Sequence, residues 1–167
     1  SKKSFGELLT DILLEEELEV GYVMLPPNNP KTCNLISEDS MKLLSRDDYM
    51  VCSDITAAGS MSHPRSFGAF PRFLGRLRRE FNLISLENMI HKMTGFPAER
   101  FKLSKRGLLK EGFFADIVIF NPDTIIDTAT YDSPRQFPIG IEHVIVNGTI
   151  ALEDGHSTGS ISGYAIS

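Results

Sequence analysis

The residues best suited to chemistry lie at the end of a short apolar run and in the segment that follows it. Asp54 ends the run Tyr49–Ser53, and His63 and Arg65 follow among Ser, Gly and Pro residues. In parallel α/β enzymes, side chains at the carboxyl ends of strands converge on the active site. A carboxylate there is a candidate general acid/base or metal ligand, and an arginine can bind an anionic group. Structural roles stay open as well, since a strand-end aspartate often caps the next loop and His63 and Arg65 could brace that loop.

The other histidines and the cysteines do not form a recognisable metal motif. HxH, HExxH and CxxC spacings are all absent, so the sequence offers no zinc site that could be assembled locally. Packing roles are therefore predicted for these side chains, with Cys52 as a small residue of the core. The residues concerned are Cys52, His91, His143 and His156, and Cys33 has no visible partner in the sequence.

Composition narrows the classes of function. The 167 residues carry a formal net charge of -5, and 41% of them are hydrophobic. No basic tail is present, which argues against a nucleic-acid partner, and no apolar run approaches the roughly 20 residues that span a bilayer. The arginines between 65 and 79 form a local basic cluster, which we predict to be a solvated helix face that offsets nearby acids, with attraction of an anionic substrate as the alternative.

The elements that must position Asp54 alternate between helix and strand. Periodicity predicts a helix over Phe5–Glu17 and a strand over Val20–Leu25. A second helix capped by Ser37 is predicted to run to Ser45, followed by a strand over Tyr49–Ser53. This alternation favours a parallel sheet covered by helices, and two strands are too few for one. We therefore expect the tail end of a larger α/β domain.

The second half of the chain changes character near residue 106. Before it, helices are predicted over Phe70–Phe81 and from an N-cap at Ser85 to about Thr94-Gly95. After it, apolar runs separated by Asn-Gly and Asp-Gly turns predict a small unit of β-strands. The predicted strands are Ala115–Phe120, Ile141–Val146 and Thr149–Leu152.

Several segments together match one family pattern. The most specific is His63-Pro64-Arg65-Ser66-Phe67-Gly68-Ala69-Phe70-Pro71-Arg72-Phe73-Leu74-Gly75-Arg76. Weaker matches are Val51-Cys52-Ser53-Asp54, Met93-Thr94-Gly95-Phe96-Pro97-Ala98, the glycine-containing stretch 106–120 and Val144-Ile145-Val146-Asn147-Gly148. In these segments the chain resembles the C-terminal portion of the N-acyl-D-amino-acid deacylase (D-aminoacylase) family, within the amidohydrolase superfamily.

The resemblance implies an α/β fold. Residues 1–104 would supply the last βα units of a TIM-type (β/α)8 metal-dependent hydrolase barrel, with an active-face loop over 54–71. Residues 105–167 would supply the C-terminal strands of a small β-sandwich. An N-terminal barrel segment, or self-association, would be needed to complete the fold, and a cytoplasmic enzyme is expected.

The resemblance also implies a chemistry, the zinc-dependent hydrolysis of the amide bond in N-acyl-D-amino acids. Zinc would polarise the scissile carbonyl and lower the pKa of a bound water. Asp54 would be the general acid/base and a candidate metal ligand, and Arg65, with His63 alongside, would bind the substrate carboxylate. The other zinc ligands are expected upstream of residue 1, so the chain alone should be inactive. Ile55 departs from the family pattern, in which a small residue usually follows the acid.

Two alternatives stay open. The first is a truncated, non-catalytic remnant that acts as a structural or oligomerising module. The second is a cyclic amidase of the dihydroorotase or hydantoinase kind, which the segment from His63 to Arg76 argues against. In every enzymatic case the expected partner is a small molecule, and neither nucleic acid nor a membrane is expected.

Overall fold

Helices make up the first part of the molecule and a β-sheet makes up the last part. The computed structural model describes residues 3–17, 27–55 and 62–166. The helices are α1 (Phe5–Glu15), α2 (Pro30–Leu44), α3 (Arg65–Pro71), a π-helical segment (Arg72–Leu77), α4 (Arg78–Phe81), α5 (Leu86–Met93) and α6 (Gly95–Arg100). Since α3, the π-helical segment and α4 follow one another without a break, we refer to them together as the arginine helix.

Capping residues explain where the first two helices begin. Helix α1 begins as predicted, because Ser4 and Glu7 form a reciprocal capping box. Helix α2 begins at Pro30, not after Ser37, because Asn29 accepts a hydrogen bond from the Lys31 backbone N–H and proline suits the first helical position. Ser37 therefore lies within α2. The predicted strand over Val20–Leu25 lies outside the described residues.

The predicted strand over Tyr49–Ser53 is wrong. The segment has no ladder partner among the described residues and lies instead against the end of α5, where the Val51 N–H donates to the Lys92 carbonyl oxygen at 3.2 Å. The buried Lys92 Nζ donates back to the carbonyl oxygens of Arg46 and Tyr49 at 2.6 and 3.1 Å. Cys52 is exposed, so its prediction as a core residue is wrong too.

The arginine helix begins earlier than predicted. It starts at Arg65 rather than Phe70, so the last residues of the predicted loop 54–71 are helical. Helix α5 begins after its N-cap Ser85 and ends at Met93, as predicted, and α6 follows directly. The buried core lies between the arginine helix, α2 and α5, and its members are Met41, Leu44, Val51, Leu74, Leu77, Ile84, Met89 and Ile125.

The C-terminal part forms a single antiparallel sheet with strand order β1-β2-β3-β4. The strands are β1 (Ile117–Phe120), β2 (Ile141–Val146), β3 (Thr149–Glu153) and β4 (His156–Ser157). The Asn147-Gly148 turn is confirmed, with φ of 48° and 80°, the left-handed pair that a tight hairpin requires. His156 lies in β4 and is exposed.

Two larger features were predicted and are not tested by this sheet. The described residues contain no parallel strand pair and one sheet only, so the barrel and the two-layered sandwich stay predictions. Within the described ranges, no helix is both long and apolar enough to cross a membrane.

Candidate functional site

Asp54 and Arg65 lie together at the start of the arginine helix. Arg65 is the first residue of α3, and its Nη2 is 3.5 Å from Asp54 Oδ2. The Asp54 side chain is 84% exposed, and its backbone is left-handed with φ of 47°, which few residues other than glycine adopt. The structure therefore presents this carboxylate to solvent, with a cation beside it.

His63 joins the same group from the residues just before α3. Its Nδ1 accepts a hydrogen bond from the Arg65 backbone N–H at 3.0 Å. Its Nε2 lies 3.2 Å from the Tyr131 hydroxyl, and the two rings meet edge to face with centroids 5.2 Å apart. Burial, and to a lesser degree the charge of Arg65, lowers the pKa of His63, so the neutral ring is favoured.

Tyr131 is the member of this group that the sequence did not reveal. It lies in an irregular segment far along the chain, where no periodic pattern or motif marks it. The segment is turned locally, since the Thr130 N–H donates to the Ser133 carbonyl oxygen and the Ser133 N–H donates to Thr130 Oγ1. A contact between residues so distant in sequence depends on the tertiary fold.

The basic cluster is solvated in part, as the sequence predicted, since three of its five arginines are exposed, and it also contacts a neighbouring segment. Arg72 and Arg76 both reach the carboxylate of Asp127, at 3.1 and 3.5 Å, and the Asp127 side chain is only 5% exposed. Arg79 donates to the Ile125 carbonyl oxygen at 2.8 Å and Arg78 to that of Pro122 at 3.3 Å. These arginines fasten segment 122–127 along the arginine helix.

The described residues do not fit a metal site by themselves. Within the described ranges, no group of three or more His, Cys, Asp and Glu side chains could hold a metal ion. The exposed Asp54 could supply one carboxylate. His91 stacks on Phe96 with ring centroids 6.0 Å apart, and His143 lies in β2 opposite Ile119. A zinc ion would need ligands beyond the described residues.

An apolar cavity of about 700 Å³ lies between the arginine helix, α5 and β1. Its lining includes Leu74, Ile90 and Val118, and contains none of Asp54, His63 and Arg65. The cavity is therefore separate from the polar group at the start of α3.

The sequence can be placed in a family. Residues 16–152 match the model of the Amidohydrolase family. The chain belongs to the amidohydrolase family. The predicted resemblance to the N-acyl-D-amino-acid deacylases is confirmed by the relatives described next.

Two relatives come from Alcaligenes xylosoxydans xylosoxydans. One is a D-aminoacylase, 40% identical over 128 residues that cover 77% of this chain and 26% of the relative. The other is an N-acyl-D-aspartate deacylase, 36% identical over 158 residues that cover 95% of this chain and 31% of the relative. The chain spans about a quarter to a third of the length of these relatives.

Solved structures agree with these relatives. A D-aminoacylase, solved in a study of its binuclear metal centre, superposes with a TM-score of 0.73 at 38% identity, covering 77% of this chain and 27% of that chain. The N-acyl-D-glutamate deacylase of Bordetella bronchiseptica, complexed with zinc and a phosphonate inhibitor, superposes with a TM-score of 0.66 at 38% identity, covering 72% of this chain and 26% of that chain. The amidohydrolases that this chain resembles therefore include metal-binding enzymes.

Proposed function

We propose that this chain is part of a zinc-dependent hydrolase that cleaves the amide bond of N-acyl-D-amino acids, with Asp54 as general acid/base. The observation that carries the proposal is the pairing of an exposed carboxylate with Arg65 at 3.5 Å. It occurs in the segment that matches the deacylase pattern, in a chain with deacylase relatives.

Each of the two side chains has a role that its chemistry suits. The Asp54 carboxylate can take a proton from the attacking water and later give it to the leaving nitrogen. Arg65 presents several N–H donors in a plane, and its Nη2 lies 3.5 Å from Asp54 Oδ2, so the same guanidinium can bind the α-carboxylate of a substrate beside Asp54. Binding that carboxylate beside Asp54 would place the scissile amide near the base. His63, whose Nδ1 accepts a hydrogen bond from the Arg65 backbone N–H, is proposed to assist this binding.

The larger assembly belongs to the same proposal. Residues 1–104 would form the last βα units of a barrel, and residues 105–167 part of a small sandwich. Among the described residues no group of three His, Cys, Asp or Glu side chains could hold the zinc ion, so its ligands other than Asp54 are proposed to lie elsewhere. The N-terminal barrel segment and a cytoplasmic location stay predictions.

A substrate panel tests the function. The whole protein is assayed against N-acetyl-D-amino acids, their L-enantiomers, dihydroorotate and hydantoin, with release of free amine or acid followed by chromatography. We expect turnover of D-substrates only. Cleavage confined to the cyclic amides would support the alternative amidase, and no turnover at all would support the non-catalytic remnant.

The role of Asp54 is tested by Asp54→Asn, with Asp123→Asn as the matched control because Asp123 is an exposed acid on another segment. We expect Asp54→Asn to lower kcat by about 10²–10⁴-fold, the usual contribution of a general acid/base, without changing the melting temperature. A kcat equal to that of Asp123→Asn would remove Asp54 from the mechanism.

A further inference from the structure

We propose that Tyr131 is a positioning residue that holds Arg65 beside Asp54 by fixing the imidazole of His63. The proposal rests on the proposed function, because Arg65 is assigned there to the substrate carboxylate. It adds to that function a residue that no motif marks.

The hydrogen bonds of His63 set the direction of the argument. Its Nδ1 accepts from the Arg65 backbone N–H, so Nδ1 carries no proton. In a neutral imidazole the proton must then be on Nε2, which donates to the Tyr131 hydroxyl oxygen at 3.2 Å. Tyr131 therefore selects the tautomer that leaves Nδ1 free to accept from Arg65.

The backbone around Arg65 depends on this ring. The Ser66 N–H donates to the His63 carbonyl oxygen at 2.9 Å, and the Gly68 N–H donates to that of Pro64 at 3.0 Å. The Pro64 side chain offers no cap, so the imidazole takes the place of a capping side chain for Arg65 N–H. A ring that turned away would leave this N–H without its partner and loosen the residue that carries the guanidinium.

Tyr131 is itself held by anchors on the same helix. The segment that leads to it is fastened at Asp127, which pairs with Arg72 and Arg76. Thr128 Oγ1 donates to the Phe137 carbonyl oxygen at 2.7 Å, which closes the loop that contains Tyr131. The segment that carries the Tyr131 hydroxyl is therefore attached to the arginine helix through Asp127. A positioning role requires such an attachment.

A double-mutant cycle tests the coupling. The variants are Tyr131→Phe, His63→Asn and the double variant, and Tyr164→Phe is the control because it removes a tyrosine hydroxyl from the C-terminal segment, where the ring contacts Phe114. The side-chain amide oxygen introduced by His63→Asn can still accept from the Arg65 N–H, but the shorter side chain cannot reach Tyr131. The probes are the N-acetyl-D-amino acid that the wild type cleaves best and its α-carboxamide, which lacks the charge that Arg65 would bind.

We expect Tyr131→Phe to raise KM for the acid about five- to tenfold, the usual effect of losing one hydrogen bond, and to leave kcat within about twofold. With the carboxamide as substrate, Tyr131→Phe and the wild type should have the same kcat/KM. In the His63→Asn background, Tyr131→Phe should have no further effect, because Tyr131 acts through His63. Equal losses on both probes, or additive losses, would reduce Tyr131 to a packing residue and overturn the proposal.

A spectroscopic measurement separates this proposal from the proposed function. Long-range ¹H–¹⁵N spectra of the whole protein, with His63 assigned by its loss in His63→Asn, report which ring nitrogen carries the proton. We expect Nε2–H in the wild type and a changed tautomer balance in Tyr131→Phe. A protonated Nδ1 in the wild type would overturn the positioning role, whereas absence of any turnover with Nε2–H present would overturn only the function.

Discussion

Asp127 joins the arginine helix to segment 122–127 through two ion pairs. Its carboxylate is buried against Arg72 and Arg76, whose side chains stay 44% and 42% exposed. Removing the acid leaves two cations that water can still reach, so the loss should be smaller than for a fully buried pair. We expect Asp127→Ala to lower the free energy of unfolding by about 1–3 kcal/mol.

Urea unfolding measures this change, with Asp123→Ala as the control. Asp123 is exposed on the same segment, and its removal should shift stability by less than about 0.5 kcal/mol. Equal shifts for the two variants would show that the arginine contacts contribute nothing to stability.

His63 should make the protein sensitive to mild acid. Its pKa in the folded chain is lowered from 6.5 by burial and by Arg65, so the unfolded chain binds the proton more readily. Stability from the neutral ring is therefore complete above pH 6.5 and is lost as the pH falls through the lowered value. The difference in unfolding free energy between wild type and His63→Asn should shrink below pH 6.5, and a difference independent of pH would contradict this.

Proximity in sequence decided which site residues could be predicted. Asp54, His63 and Arg65 lie within one motif, and the structure brings Asp54 and His63 to Arg65. Tyr131 contacts His63 and Asp127 contacts Arg72 across sequence separations of 68 and 55 residues, so no local pattern could predict these contacts. The same holds for the arginines, whose exposure the sequence predicts but whose contacts with segment 122–127 it does not.

At the scale of elements, two glycines allow the arginine helix to pack closely on segment 125–129. A Cβ added at Gly75 would lie 2.1 Å from the Ile125 carbonyl oxygen, which is also held by Arg79. A Cβ added at Gly68 would lie 3.1 Å from Asp127 Cβ, a milder conflict. Gly75 therefore marks the closest approach between the helix and the segment that carries Asp127.

A series of alanine variants tests this packing by thermal and urea unfolding. Gly75→Ala should cost about 2–3 kcal/mol because a backbone carbonyl would have to move, and Gly68→Ala should cost less. Gly6→Ala on α1 is the control, where a Cβ meets nothing within 4 Å and helix propensity should add about 0.5–1 kcal/mol. A Gly75→Ala protein as stable as Gly6→Ala would disprove the close approach.

Elements that depend on residues adjacent in the chain were predictable from the sequence. Elements that depend on other parts of the fold were not. The Asn147-Gly148 turn and the Ser85 cap each need only residues adjacent in the chain, and both are found. The Tyr49–Ser53 run has the composition of a strand, but a strand forms only beside another, and here Val51 bonds to the end of α5 instead. The start of α2 could have been found, since Asn29-Pro30 carries both a cap and a first-turn proline.

At the scale of the whole molecule, the family could be identified although most of the fold could not be derived. Motif matches need only short segments, and residues 16–152 do match the Amidohydrolase family. The barrel and the sandwich depend on strand partners that the described residues do not supply, whereas the hairpin of β2 and β3 depends on a turn between adjacent residues.

The metal requirement gives the last prediction. A structural or catalytic zinc takes three or four protein ligands, and the described residues bring together no group of three. We therefore expect the 167-residue chain, dialysed and analysed by mass spectrometry for metals, to hold well under one zinc per chain and to show no turnover. The whole protein should hold zinc, and Asp54→Ala should reduce its zinc content only if Asp54 is a ligand as well as a base. Stoichiometric zinc in the isolated chain would mean that this chain holds the metal by itself, and the proposed dependence on a separate barrel segment would then fail.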